Sequence, residues 1–86
     1  MDKRKILCDM GYENAIIFDN PDYDTAIIGV SEDGRVVYDY DEMVLYLMDG
    51  DGMTEEEAED FINYNTIRSL PYAGEGAPII VYSLII

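Results

Sequence analysis

Residues 39–60 read DYDEMVLYLMDGDGMTEEEAED, and this stretch decides how the chain folds. Asp39 is followed three residues later by Glu42, and Thr54 is followed three residues later by Glu57. Each pair fits a capping box, in which the first side chain accepts a backbone N–H of the new helix and the acid accepts the N–H of the capping residue. The apolar residues between the two boxes recur at helical spacing and end at a glycine-rich turn. The stretch therefore predicts two helices that run roughly antiparallel.

Negative charge is concentrated in the same stretch, which has no basic residue. Its ten carboxylates are Asp39, Asp41, Glu42, Asp49, Asp51, Glu55, Glu56, Glu57, Glu59 and Asp60. The whole chain of 86 residues has 19 acidic and 5 basic residues and a net charge of −14. A field of this sign repels nucleic acid and anionic membranes, and it attracts cations and basic proteins. We therefore expect no direct nucleic-acid binding, no membrane binding and a partner with a basic surface.

Length, composition and cysteine content place the chain in a broad class. A hydrophobic fraction of 49% in 86 residues indicates one small globular domain covering residues 1–86. Cys8 is the single cysteine, so no internal disulfide can form and the cytoplasm is the expected compartment. The apolar segment that follows the first basic residues is too short for a signal peptide, and no apolar run approaches the length of a membrane span.

The remaining segments predict strands and one further helix. The predicted strands cover residues 15–18, 24–30, 35–38 and 79–86. Gly34 lies where a three-residue hairpin loop needs a left-handed residue, so the second and third strands should form a hairpin. Asp2 can cap a short helix over residues 3–10.

The predicted order is therefore α-β-β-β-α-α-β, an α+β fold. It comprises a three-stranded antiparallel meander, a fourth strand at the C-terminal end placed beside the first, a short N-terminal helix and a helical hairpin packed on the sheet.

The hairpin loop fixes a predicted register for the two strands that it joins. One face of the hairpin should then form core, and its residues are Ala26, Ile28, Val30, Val36, Tyr38 and Tyr40. The opposite face mixes polar and apolar side chains, and its residues are Thr25, Ile27, Gly29, Arg35, Val37 and Asp39. A helix or a partner could cover this second face in part.

Catalytic chemistry has little support in the sequence. The chain has no histidine, which excludes histidine acid–base catalysis, Ser-His or Cys-His nucleophiles and histidine zinc sites. We therefore expect a protein that is not an enzyme and needs no cofactor. Asp49 and Asp51 match the first and third positions of a calcium-binding loop, but Met53 and Thr54 fail at the fifth and sixth positions. These two aspartates are weak metal candidates, and a tight turn between helices explains the same sequence.

A repeated triplet is the most informative functional signal. Asp22-Tyr23-Asp24 enters the predicted hairpin and Asp39-Tyr40-Asp41 leaves it, so the hairpin should bring both to one end. Exposed tyrosines framed by carboxylates would suit arginine- or lysine-rich surfaces. The alternative is local use of the aspartates, with Asp39 as a helix cap and Asp22 in a turn. The predicted partner-binding residues are Asp22, Tyr23, Asp24, Asp39, Tyr40, Asp41, Glu42, Glu55, Glu56 and Glu59.

Two further segments carry a resemblance to known proteins. They run from GYENA at residues 11–15 through VVYDY at residues 36–40, and over NTIRSLPY at residues 65–72. In these segments the chain resembles small acidic proteins encoded by Gram-positive bacteria, their phages and mobile elements. That group has no established activity, and genes of this kind often encode small inhibitors. The resemblance implies a genetic context and no catalytic residue.

The sequence leaves three functional hypotheses open. The first is a non-enzymatic interaction module, an inhibitor or nucleic-acid mimic that occupies a basic protein surface which otherwise binds nucleic acid. The second is a structural domain that forms a homodimer through the mixed hairpin face and Ile85-Ile86, with the acids serving only solubility. The third is a domain that responds to divalent cations.

Overall fold

A computed structural model describes residues 2–84 and confirms the α+β class. Its helices are α1 (Lys3–Asp9), α2 (Tyr40–Asp51) and α3 (Glu55–Phe61), and its strands are β1 (Ile27–Val30), β2 (Val36–Asp39) and β3 (Ile79–Val81). A 3-10 turn at Asp24–Ala26 precedes β1. The predicted hairpin and the three predicted helices are therefore present, with boundaries shifted by a few residues.

The sheet is mixed and three-stranded within the described residues, in the order β1-β2-β3. β1 pairs with β2 in the antiparallel sense, and β3 pairs with β2 in the parallel sense. The prediction that the last strand lies beside the first is therefore wrong. β3 is also short, and Ile85 and Ile86 of the predicted strand lie outside the described residues.

Residues 15–18 do not form the predicted first strand. The segment has no regular secondary structure, and its backbone N–H at Phe18 donates to the Tyr38 hydroxyl at 3.0 Å. Ala15, Ile17 and Phe18 pack against the core, where the Phe18 ring lies 4.7 Å from the Tyr38 ring between centroids, while Ile16 is exposed. The apolar run therefore indicated burial, which three of its four side chains reach without joining a sheet.

A bulge changes the predicted hairpin register. Val30 pairs with Val36 as predicted, but the next pairs are Gly29 with Val37 and Ile27 with Tyr38. The extra residue in β1 exchanges the faces of the residues before it. Ile27 is therefore buried in the core, and Ile28, predicted to be core, is 58% exposed.

Both helices of the predicted hairpin form, but of the two predicted capping boxes only the one at α3 is present in the described residues. Thr54 and Glu57 make the full reciprocal capping box of α3. Asp39 caps α2 by accepting the N–H of Asp41 at 3.2 Å, and Gly52 ends α2 with φ of +70°. The connection between the helices is three residues long, which turns α3 back along α2.

The chain beyond α3 stays helical, although Pro71 within residues 66–73 predicts an irregular segment there. A π-helical turn at Ile62–Thr66 leads into a 3-10 helix at Ile67–Ala73. Pro71 lies inside the 3-10 helix on the exposed surface. Its fixed φ is compatible with helical backbone, so the ring removes one hydrogen bond without unwinding the segment. The prediction of a coil was therefore wrong.

The core lies between the sheet, α2 and α3. Its buried members include Tyr23, Ala26, Ile27, Val36, Tyr38, Tyr40, Met43, Val44, Leu47, Ala58 and Ile62. Four of the six predicted hairpin core residues are among them, while Val30 is half-buried.

Helix α1 closes one edge of the sheet. Asp2 caps it by accepting the N–H of Arg4 at 3.0 Å. The ammonium group of Lys3 reaches the neighbouring edge and donates to the carbonyls of Thr25 at 2.9 Å and Ile27 at 2.7 Å. Leu7 is the buried residue that anchors the helix.

Candidate functional site

The first Asp-Tyr-Asp triplet is used inside the fold. Tyr23 is 0% exposed, and its hydroxyl hydrogen-bonds to Thr66 Oγ1 at 2.8 Å. Its φ of +50° is left-handed, a conformation that a non-glycine residue adopts at a cost of about 1–2 kcal/mol. Asp24 pairs with Arg4 at 2.7 Å, and Asp22 accepts the N–H of Asp24 at 3.0 Å. These side chains therefore stabilise the segment that precedes β1.

The second triplet is used locally in the same way. Asp39 caps α2, and Tyr40 is only 8% exposed. The Tyr40 ring lies 4.7 Å from the exposed ring of Tyr82 between centroids. Burial raises the pKa of Tyr40, and the negative charge of Glu59 adds to the shift. The expectation of two exposed tyrosines framed by carboxylates is therefore wrong, and the local use of Asp22 and Asp39 that we left open is what the structure shows.

The two triplets have different surroundings. The Tyr46 ring of α2 lies 5.6 Å from the Tyr23 ring between centroids, which places the first triplet beside the middle of α2. Tyr40 instead lies near Glu59 of α3 and Asn63 of the π-helical turn that follows α3. The sequence predicted that the β-hairpin brings both triplets to one end, and it did not predict these different surroundings.

Ion pairs in residues 2–84 all lie outside the helical hairpin. They are Arg4–Asp24, Lys5–Asp9 and Arg35–Asp33. Helix α2 has four carboxylates and α3 has five, and neither helix has a basic residue. Eight of these nine side chains are exposed, and Glu59 is half-buried. The uncompensated charge of the described chain is therefore concentrated on α2 and α3, which hold the predicted residues Asp41, Glu42, Glu55, Glu56 and Glu59.

A groove of about 580 Å³ runs along the outer face of α2. It is lined by Thr25, Glu42, Leu45, Tyr46, Asp49, Gly50 and Asp51. Leu45 is 46% exposed there, and the three carboxylates around it are exposed as well. We call this feature the α2 groove.

Sequence reasoning selected Glu42 but missed the apolar part of the α2 groove. A signal was present, because Leu45 falls outside the helical stripe formed by Met43, Val44 and Leu47. An apolar side chain on the charged face of a helix lies outside the domain's own core, as the 46% exposure of Leu45 shows.

The weak metal candidates Asp49 and Asp51 are both exposed and line the α2 groove. Among residues 2–84, no group of three or more histidine, cysteine, aspartate or glutamate side chains is arranged to hold a metal ion. In the same part of the chain, every helix is too short or too polar to cross a membrane.

Comparison of the chain with protein-family models, with curated proteins and with solved structures finds no match.

Proposed function

We propose that this protein is a non-enzymatic interaction module that occupies a basic surface on another protein through α2 and α3. The observation that carries the proposal is the separation of paired and unpaired charge. The three ion pairs of residues 2–84 all use acids that lie outside α2 and α3. The nine carboxylates of α2 and α3 have no ion-pair partner among the same residues.

The arrangement of acids on α2 and α3 also suits a partner with a basic surface. Acids presented on two packed helices keep a fixed spacing, which favours association with a complementary basic surface and speeds encounter. A protein surface that binds nucleic acid is basic for the same reason, so an inhibitor that covers such a surface is the form of the module we favour.

The proposal is tested by comparing two variants of equal charge. The first replaces Glu42, Glu55, Glu56 and Glu59 with Gln, all within α2 and α3. The second replaces Glu13, Glu32 and Glu75 with Gln and Asp19 with Asn, all exposed residues of loops and turns. Each variant and the wild type are used to capture partners from a lysate of the cells that produce the protein, at low and at moderate salt.

We expect the wild type and the loop variant to retain the same basic partner at low salt and to release it at moderate salt, because salt screens exposed charges. The helix variant should lose that partner at both salt concentrations. Equal loss in the two variants would show that net charge matters and its placement does not. A partner retained equally at both salt concentrations would contradict the proposal altogether.

Self-association is a second candidate, and one observation favours it. Ile6, Met10 and Ile28 are exposed around an apolar groove of about 280 Å³ between α1 and β1. Light scattering over a range of concentrations tests this candidate. A mass that rises with concentration in the wild type, but not in Ile28→Ser, would support a dimer, and a constant monomer mass would exclude it.

A further inference from the structure

We propose that the α2 groove receives an arginine-bearing amphipathic segment of the protein partner. This inference rests on the proposed function and adds to it a defined site and a defined occupant.

The floor of the α2 groove is apolar and rigid. Leu45 projects from the charged face of α2 and is exposed, so it contributes little to the domain's own core. Tyr46 is half-buried beside it, and its ring lies 5.6 Å from the buried Tyr23 ring between centroids. A preformed apolar floor lowers the entropy that a partner side chain loses on binding.

The rim of the α2 groove is acidic, and its carboxylates have no ion-pair partner among residues 2–84. Glu42 lies at one end of the groove, and Asp49 and Asp51 lie at the other. These two aspartates are in the last turn of α2, where the helix dipole disfavours negative charge, and that turn contains no basic residue. A cationic group from a partner would offset this unfavourable interaction.

Arginine fits the combination of floor and rim. Its aliphatic stem can cover Leu45, its planar guanidinium can stack on an aromatic ring such as Tyr46, and its donors match carboxylates on either side. A hydrated divalent cation would gain nothing from an apolar floor, and nucleic acid would be repelled by the rim. Charge complementarity therefore assigns the groove to a basic segment that also carries apolar side chains.

Two short labelled peptides test the inference by fluorescence anisotropy. One alternates Arg and Leu, and the other alternates Arg and Ser, so the two peptides have equal charge. The wild type should bind the Arg–Leu peptide about tenfold more tightly, because the leucines bury apolar surface on the groove floor. The variant Leu45→Ser should remove most of that preference, and it should weaken binding of the Arg–Ser peptide less, because that peptide keeps its contacts with the acidic rim.

A pair of charge variants locates the binding site. Asp49→Asn with Asp51→Asn removes two of the three rim carboxylates, and Glu55→Gln with Glu56→Gln makes the same charge change on α3, outside the groove lining. The rim variant should lose about tenfold in affinity for the Arg–Leu peptide, and the α3 variant about twofold. Circular dichroism confirms that both variants fold.

The possible results separate this inference from the proposed function. If the two charge variants lose equal affinity, or if the wild type binds both peptides equally, the groove assignment is wrong and the broader acidic surface remains. If neither variant changes the affinity of either peptide, both proposals fail. A melting temperature that millimolar calcium raises in the wild type and not in the rim variant would assign the groove to a cation and overturn the inference.

Discussion

The Tyr38 side chain is completely buried, and it hydrogen-bonds to the segment around Phe18, which does not belong to the sheet. Its hydroxyl accepts the N–H of Phe18, and burial raises its pKa to about 12. Removing the hydroxyl in Tyr38→Phe leaves that N–H without its partner, and we expect a loss of about 1–2 kcal/mol in the free energy of unfolding at neutral pH. Urea denaturation measures this, with Tyr72→Phe as a control because Tyr72 is 91% exposed.

The raised pKa of Tyr38 predicts how the stability of the fold changes at alkaline pH. In the unfolded chain a tyrosine loses its proton near pH 10, whereas folded Tyr38 keeps its proton until about pH 12. The stabilisation is therefore complete below pH 10 and is lost as the pH rises toward 12, by up to about 1.4 kcal/mol per pH unit. Tyr38→Phe should show a shallower alkaline decline than the wild type. An unchanged decline would mean that other groups control it.

A buried hydroxyl pair offers a second test. Tyr23 and Thr66 are both buried and hydrogen-bond to each other at 2.8 Å. Either Tyr23→Phe or Thr66→Val alone leaves one hydroxyl unpaired and should cost about 1–3 kcal/mol, while the double variant should cost less than the sum of the two. Thermal denaturation of the four proteins gives the coupling energy. Strict additivity would show that the hydrogen bond does not contribute to stability.

The burial of individual side chains was the hardest feature to predict. Tyr23 lies in a polar triplet, so the sequence favoured exposure, and only its left-handed backbone turns the ring into the core. Ile28 was assigned to the core because an unbroken register was assumed, and a bulge moved it to the surface. Backbone irregularities of this kind have no clear signal in a single sequence.

Helices were predicted well because their ends carry specific side-chain chemistry. The capping box of α3 is the clearest case, since Glu57 accepts the Thr54 N–H at 2.9 Å and Thr54 accepts the Glu57 N–H at 3.2 Å. Strand partners lack an equivalent local signal. The parallel pairing of β3 with β2 depends on contacts between distant parts of the chain, and apolar residues at positions 15–18 satisfied the same burial requirement without pairing.

The capping box predicts the effect of a single change on the helical hairpin. Thr54→Ala removes the side-chain acceptor, and we expect a loss of about 1 kcal/mol in the free energy of unfolding. Thr54→Ser keeps the hydroxyl and should lie close to the wild type. Circular dichroism with urea measures both variants. Equal stability of the Ala and Ser variants would show that packing alone determines where α3 begins.

The whole molecule carries more negative charge than its fold can pair. Repulsion among the carboxylates of α2 and α3 should therefore lower stability at low ionic strength. Because the Debye length falls from about 30 Å at 0.01 M to about 8 Å at 0.15 M, we expect the melting temperature to rise over this range of sodium chloride. The variant with Gln at positions 42, 55, 56 and 59 should show a smaller rise, and an equal rise would place the repulsion elsewhere.

The contact between Lys3 and the edge of β1 has a consequence for the solution behaviour of the molecule. An uncovered outer strand can recruit a strand from another chain and so begin fibril growth, and a lysine is a common safeguard against this. Here the ammonium group occupies two carbonyls that an incoming strand would use. In salt that screens the repulsion between molecules, Lys3→Met should therefore produce fibrils detectable by thioflavin fluorescence. Lys5→Met makes the same charge change at a residue without that contact, and it should form no fibrils.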